Sequence, residues 1–196
     1  MRARAAARGV SLLEVSAATA LMAVVVVSFL GLLVYGVDAY RQSVAEERAL
    51  RTAGDLVDAI ARELKDAPAS TLVFSAAAPT EITFRRMTGY DPTGATDDAR
   101  RVLTPPITIR RVPMAVPGAS GLYAVERVEA GERAASLGGF VAESDAAEPA
   151  LPGLRFDVAS TLSATFVTVT VTVAVPAARS SSAVARLATT LSLEVN

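Results

Sequence analysis

A run of 23 residues without a charged side chain, residues 15–37, constrains this chain more than any other feature. In a helix that rises about 1.5 Å per residue, such a run is about 35 Å long, enough to cross a hydrocarbon core of about 30 Å. Arg2, Arg4 and Arg8 precede it, and this excess of positive charge favours a cytoplasmic N-terminus. We therefore expect a single membrane-spanning helix, with everything after Asp38 outside the cytoplasm.

The segment has three possible interpretations, and they differ in whether they explain Glu14, which lies at the edge of the apolar run. A cleavable secretory signal has an apolar core of about 7–15 residues before a small-residue cleavage site, and the present run is too long for that class. A plain single-pass anchor explains the length and the arginines but leaves the carboxylate unexplained. Since a carboxylate at a membrane helix is costly and normally marks a function, the third interpretation has to give Glu14 a role.

Residues 9–15 read Gly-Val-Ser-Leu-Leu-Glu-Val and stand between a basic leader, residues 1–9, and the apolar run. This segment resembles the prepilin processing motif of type IV pilins and of the pseudopilins of type II secretion, with Val10 in place of the usual Phe and Ser11 in place of Thr. The resemblance implies cleavage after Gly9 by a prepilin peptidase, N-methylation of Val10, and an assembly role for Glu14. It also implies a protein of the bacterial inner membrane that joins a filament through contacts between its N-terminal helix and other pilin-like subunits.

The chemistry of Glu14 favours such a role. No Lys or Arg lies between residues 10 and 37, so a carboxylate at the lipid edge lacks a cationic side chain in its own segment. Cleavage after Gly9 creates a cation, the α-amine of Val10, which would lie about 6 Å from Glu14 along a helix. In a staggered filament, the resemblance implies that Glu14 pairs with the amine of a neighbouring subunit instead.

The helical pattern continues beyond the apolar run, so the helix is divided into residues 10–37, the membrane and filament-core half, and residues 38–67, an amphipathic half. Its apolar side chains, which alternate at intervals of three and four from Leu50 onward, predict a buried stripe: Tyr40, Val44, Leu50, Ala53, Val57, Ile60 and Leu64. The opposite charges at positions 51 and 55, and at 58 and 62, predict ion pairs on a solvated face. Pro68 ends the helix because it lacks a backbone donor.

From residue 68 the period changes to two, which is typical of strands. The predicted strands span residues 71–75, 81–88, 107–112, 122–128, 154–158, 166–175 and 184–195, with a turn at 89–94 and an irregular loop at 129–153. Residues 166–175 alternate Val and Thr, so we expect this strand to be central and to pair antiparallel with the last strand. The predicted fold class is α+β, a long N-terminal helix packed on a mostly antiparallel β-sheet domain of residues 68–196. This order, with a Thr-rich last strand and a terminal Asn, is similar to minor pseudopilins of the J/W type.

Composition excludes several classes of site. The chain has no cysteine and no histidine, which rules out disulfides, thiolate nucleophiles, zinc sites built on Cys or His, and imidazole general bases. Lys65 is the only lysine, and no glycine-rich phosphate loop accompanies it, so we expect neither an enzyme nor a cofactor. With 19 basic and 20 acidic residues the net charge is −1, and no basic footprint for nucleic acid exists.

Two weaker sets of candidates remain. Asp91, Asp97 and Asp98 share a turn-rich loop and are weak candidates for Ca²⁺ ligands, since this cation prefers oxygen donors. Three arginine doublets are predicted either to lie on edge strands paired with nearby acids or to contact another subunit: Arg85–Arg86, Arg100–Arg101 and Arg110–Arg111.

The expected function is therefore assembly. The sequence favours a minor pilin or pseudopilin, a structural subunit of a type IV pilus-like or type II secretion-like filament that is processed by prepilin peptidase and N-methylated. The alternative is a single-pass, membrane-tethered extracytoplasmic binding module, with the sheet or residues 129–153 as its contact surface. An uncleaved N-terminus without pilin-like partners would favour this alternative.

Overall fold

The computed structural model of the chain describes residues 11–115, 121–161, 163–177 and 182–194. It begins with one long helix, α1, Leu12–Leu64, of 53 residues. Contacts divide the chain into two units, Met1–Ser43 and Val44–Asn196, so the boundary falls inside α1. The helix ends before Pro68, as predicted, and the backbone there is extended, with φ −61° and ψ 136°.

The described part of the second unit contains ten strands and two short helical segments. The strands are β1 Val73–Phe74, β2 Glu81–Phe84, β3 Met87–Tyr90, β4 Arg101–Leu103, β5 Ile107–Pro113, β6 Leu122–Glu129, β7 Ala135–Ala142, β8 Leu154–Ser160, β9 Ala164–Pro176 and β10 Ser182–Glu194. The helical segments are a single 3₁₀ turn, Ala69–Thr71, and α2, Asp97–Arg100.

Eight of these strands form one sheet in the order β1-β2-β5-β6-β7-β9-β10, with β8 paired to β9, and every neighbouring pair is antiparallel. Strands β3 and β4 form a separate two-stranded sheet. The α+β class is confirmed, because α1 supplies the helical layer and nearly all later residues of regular structure are strands.

Strand β9 is central, as its Val–Thr alternation predicts. One side pairs with β10 over all 13 residues, from Ala164↔Glu194 to Pro176↔Ser182. The other side pairs with β8 along its first part and meets β7 at Val173. The valine face of β9 is fully buried: Val167, Val169, Val171 and Val173.

The second half of α1 covers this core with a stripe that agrees with the predicted one at Ala53, Val57, Ile60 and Leu64 but differs from it before Ala53. The buried residues of the helix are Ala45, Ala49, Ala53, Leu56, Val57, Ile60 and Leu64. Tyr40 and Leu50 were wrongly predicted to be buried, since they are 71% and 57% exposed. Short alanine side chains face the core instead, which lets the helix backbone lie close to other elements. The helix also lies close to β7 of the sheet. A Cβ built on Gly138 of β7 would be only 3.2 Å from Leu56 Cδ1 of the helix.

Three further predictions about local structure were wrong. The strand predicted at residues 81–88 is divided into β2 and β3, which belong to different sheets. The segment 129–153 is not one irregular loop, because β7 occupies residues 135–142 within it. The two predicted helical ion pairs do not form among the described residues, and Arg62 Nε donates instead to the backbone carbonyl of Asp58 at 3.3 Å. Within the described part of the chain, Arg51, Asp55, Asp58 and Arg62 therefore form no ion pair.

Candidate functional site

Reciprocal hydrogen bonds between Ser11 and Glu14 cap the start of α1. The Glu14 backbone N–H donates to Ser11 Oγ at 3.2 Å, and the Ser11 backbone N–H donates to Glu14 Oε2 at 3.1 Å. This is a capping box, in which Ser and a Glu three residues later satisfy two donors that would otherwise be free. It holds the carboxylate at the positive end of the helix dipole, where a negative charge is stabilised.

The predicted processing residues Gly9 and Val10 lie outside the described residues. Glu14, the predicted assembly residue, lies in the first turn of α1 and is exposed. The sequence analysis missed its capping role and missed Ser11 as its partner. The signal was present, because Ser-x-x-Glu before an apolar run is typical of a helix N-terminus.

The helix that follows Glu14 presents an apolar surface on all sides. Its apolar side chains are exposed throughout the first unit, among them Leu12 at 88% and Tyr35 at 74%. The hydroxyl groups in this surface bond to the helix itself, because Ser16, Thr19 and Ser28 each donate to the carbonyl four residues earlier, at 2.8–3.0 Å. By length and composition this helix is a candidate membrane span, with a mean hydropathy of 2.6 over its most apolar window.

A half-buried ion cluster joins the C-terminal end of α1 to the sheet. Glu63 Oε2 accepts from Arg127 Nε at 3.1 Å and from Arg86 Nη1 at 3.3 Å. Arg127 also bonds to Glu129 on its own strand. Burial lowers the pKa of Arg127, but the hydrogen bonds to Glu129 and Glu63 outweigh it and raise that pKa. The cluster therefore holds a permanent cation between two carboxylates, an arrangement suited to fastening the helix to β6.

The arginine doublets have mostly internal partners. Arg86 pairs with Glu63, and Arg110 lies 4.0 Å from Glu126, so pairing with nearby acids is confirmed for these two. Arg111 stacks over the Tyr123 ring at 4.1 Å and donates to the carbonyl of residue 143 at 2.7 Å. The predicted edge position was wrong for Arg110 and Arg111, because β5 lies between β2 and β6 in the sheet. Arg85 and Arg86 follow the end of β2 and lie in no strand, whereas Arg101 lies on β4, one of the two strands of the small sheet, and so does occupy an edge strand.

A second ionic cluster, which the sequence analysis did not identify, lies on the threonine face of β9 and its neighbours. Asp145 is buried and accepts from Arg186 Nε at about 3.0 Å and from the backbone N–H of Ala147 at 2.8 Å. Glu148 lies 3.9 Å from both Arg155 of β8 and Arg186 of β10. No sequence pattern identifies this cluster, because its ion-paired residues are 7 to 41 positions apart in the chain.

This cluster explains why both faces of β9 are buried near its middle. Arg186 is the neighbour of Thr172, and Arg155 is the neighbour of Thr170, on the strands that flank β9. Both threonines are at most 2% exposed. The guanidinium groups and the segment that carries Asp145 cover the face that alternation alone predicts to be open to water.

The weak calcium candidates are only partly described. Asp91 Oδ1 accepts from the backbone N–H and the hydroxyl of Thr93, at 2.9 and 2.7 Å, and these bonds lower its pKa. The side chains of Asp97 and Asp98 lie outside the described residues. Among the side chains that are described, no group of three His, Cys, Asp or Glu is arranged around a metal position.

The described residues thus offer three polar arrangements: the capped carboxylate of Glu14, the ion cluster at Glu63 and the ion cluster at Asp145. The second and third are paired with partners within the chain and act in packing, although the buried Nε of Arg86 in the second has no hydrogen-bond partner among the described residues. Only Glu14 stands next to a large exposed apolar surface, which makes the start of α1 the candidate functional site. No family model, curated protein or solved structure matches this chain.

Proposed function

We propose that this protein is a minor pilin or pseudopilin, a structural subunit of a type IV pilus-like or type II secretion-like filament. One observation carries the proposal: Glu14 follows Gly9 at the prepilin-type spacing and opens a 53-residue helix with an exposed apolar first part. Leader residues 1–9 are removed by a prepilin peptidase, and Val10 becomes the methylated N-terminus. The work of the protein is assembly.

The orientation follows from charge. The three leader arginines stay in the cytoplasm, the apolar part of α1 crosses the inner membrane, and residues 44–196 lie on the other side. In the filament, apolar surfaces of neighbouring helices contact one another and replace lipid. Small residues such as Gly31 and Gly36 permit close approach of another helix because they carry no side chain, and the space beside both is open in the single chain.

Glu14 has two functions in this account. Within the chain it caps α1 by accepting the hydrogen bond from Ser11. Between subunits it pairs with the α-amine of a neighbouring Val10, so that a buried negative charge is neutralised and the axial register is set. The capping box supports this proposal because it orients the carboxylate before a partner arrives.

The substitution Glu14→Gln separates these functions. Glutamine also serves in a capping box, so α1 should keep its cap and the protein should still insert and be cleaved. The charge is lost, and we expect co-purification with pilin-like partners from detergent-solubilised membranes to fall at least about tenfold. The same variant should reduce filament-dependent activity in cells.

Ser11→Ala is the matched control. It removes the cap hydroxyl, at a cost of about 0.5–2 kcal/mol to helix stability, but it leaves the Glu14 charge in place. Assembly close to the wild-type level is therefore expected. If Glu14→Gln assembles at the wild-type level while Ser11→Ala impairs assembly, capping alone accounts for Glu14, and the assembly role of its charge is excluded.

A further inference from the structure

The last strand of the sheet leaves one long edge open. Strand β10 pairs with β9 along 13 residues and ends the sheet order. In the described part of the chain, no backbone hydrogen bond joins β10 to any segment other than β9. Between residues 182 and 193 its one charged side chain is Arg186, which is turned to Asp145. Natural proteins protect such edges with charges, proline or a cover, so an edge with so little protection points to a partner.

A charged groove runs beside this edge. It has a volume of about 530 Å³ and is lined by Asp55, Asp58, Ala61, Arg62, Lys65 and Leu191. The helix and β10 run in the same direction here, because Gly54 lies beside Leu187 and the later helix residues lie beside Leu191. The groove is therefore acidic at the Leu187 end and basic toward Lys65.

These charges are not neutralised within the described part of the chain. Asp55, Asp58 and Lys65 form no ion pair there, and the one hydrogen bond of Arg62 goes to a backbone carbonyl. The midpoint between Asp55 and Asp58 and the midpoint between Arg62 and Lys65 lie about 10 Å apart along the helix, at about 1.5 Å per residue. A partner that offered one charge of each sign at that separation would find both complementary.

We propose that the β10 edge and this groove bind an extended segment of a different protein, which adds to the sheet antiparallel to β10. Antiparallel addition matches every other pair in the sheet and is the more stable arrangement. Such a strand runs from the Lys65 end of the groove to the Asp55 end, so it carries an acidic residue first and a basic residue four positions later. Two residues that are four positions apart lie on the same face of a strand, about 13 Å from each other. Long charged side chains at this spacing can reach the acidic pair and the basic pair of the groove.

A second copy of the chain fits this surface poorly. The β10 side chains that face the helix, such as Ala185, Leu187 and Leu191, are uncharged and would leave the groove charges without partners. The opposite edge of the sheet offers only the two residues of β1. The proposal uses residues of the second unit alone and does not depend on cleavage after Gly9 or on Glu14.

The test measures binding of labelled nine-residue peptides to the full chain in detergent by fluorescence anisotropy. The first peptide has Glu at its third position, Lys at its seventh and Thr elsewhere; the second has the two charges exchanged. We expect the first to bind about tenfold more tightly, because exchange turns two attractive contacts into two repulsive ones. In the variant Asp55→Lys, Asp58→Lys, Arg62→Glu, Lys65→Glu, whose positions are all exposed, the preference should be reversed.

N-methylated peptides show whether the backbone edge is used. Methylation at alternate positions removes the donors along one edge of the peptide, so either the odd-position or the even-position version should lose binding while the other keeps it. Equal binding of the two charge patterns, an unchanged preference in the reversed variant, or binding indifferent to both methylations would overturn the proposal. Self-association of the full chain through β10 without peptide would assign the edge to a second copy and would overturn it as well.

Discussion

At the scale of single residues, Asp145 shows how a surface segment is fixed to the sheet by charge. Its side chain is fully buried, and burial alone would raise its pKa above the usual 3.8. The backbone N–H of Ala147 and the guanidinium of Arg186 outweigh burial and hold the pKa of this carboxyl below that value. The ionised form is therefore the one that the folded protein prefers.

This preference predicts a pH-dependent contribution to stability. A carboxyl whose pKa is lower in the folded state stabilises the fold above its unfolded pKa, and the contribution is lost as the pH falls through the folded value. Asp145→Asn should lower the free energy of unfolding by about 1–2 kcal/mol near pH 7, since Arg186 is partly exposed and screened. Urea titrations of the full chain in detergent, followed by circular dichroism, should show the difference shrinking below about pH 4.

Asp157→Asn is the matched control for this measurement. Asp157 accepts from Arg155 Nε at 2.7 Å, but its side chain is 53% exposed. Exposed pairs contribute little, so the loss should stay below about 1 kcal/mol. A difference between wild type and Asp145→Asn that persists unchanged to about pH 2 would contradict the account of Asp145.

At the scale of elements, the second half of α1 is defined by which face meets the core. Leu64 is fully buried, whereas Leu50 is 57% exposed although both are leucines in the same periodic pattern. The helix period alone does not identify the buried face here, because the alanines at 45, 49 and 53 lie inward and the larger Leu50 lies outward.

These two leucines provide a matched pair of substitutions. Leu64→Asp buries a charge without a partner and should cost several kcal/mol, enough to remove the cooperative unfolding transition. Leu50→Asp at an exposed site should change the free energy of unfolding by no more than about 0.5 kcal/mol. The same urea titration compares both. Equal losses for the two variants would mean that the buried face of α1 has been assigned incorrectly.

Elements with a strong local pattern were predictable, and elements stabilised by distant contacts were not. The long helix and the β9–β10 hairpin follow from composition and alternation within a few dozen residues. Strand β7 was missed because Gly138 and Gly139 are turn-like in sequence, whereas Gly138 serves a tertiary purpose, the close approach of Leu56. At the candidate site, Ser11–Glu14 was readable as a cap, but the cluster around Asp145 depends on contacts up to 41 residues apart.

At the scale of the whole molecule, the chain combines an exposed apolar helix with a charged and well-packed β domain. The first part of α1 has no buried side chain, and its apolar surface needs lipid or other helices around it. The second unit is packed around its own core, and its two ionic clusters pair within the unit. The proposed filament subunit, which would move from a membrane into a filament, needs both properties.

Intact-mass measurement of the protein extracted from the membranes of cells that contain a prepilin peptidase tests this account most directly. The account predicts loss of residues 1–9 and one added methyl group on the chain that begins at Val10. Cleavage removes three arginines, which leaves 16 basic against 20 acidic residues and a net charge of −4. A mass that retains Met1–Gly9 in such cells would contradict the assembly function and would favour a membrane-tethered binding module.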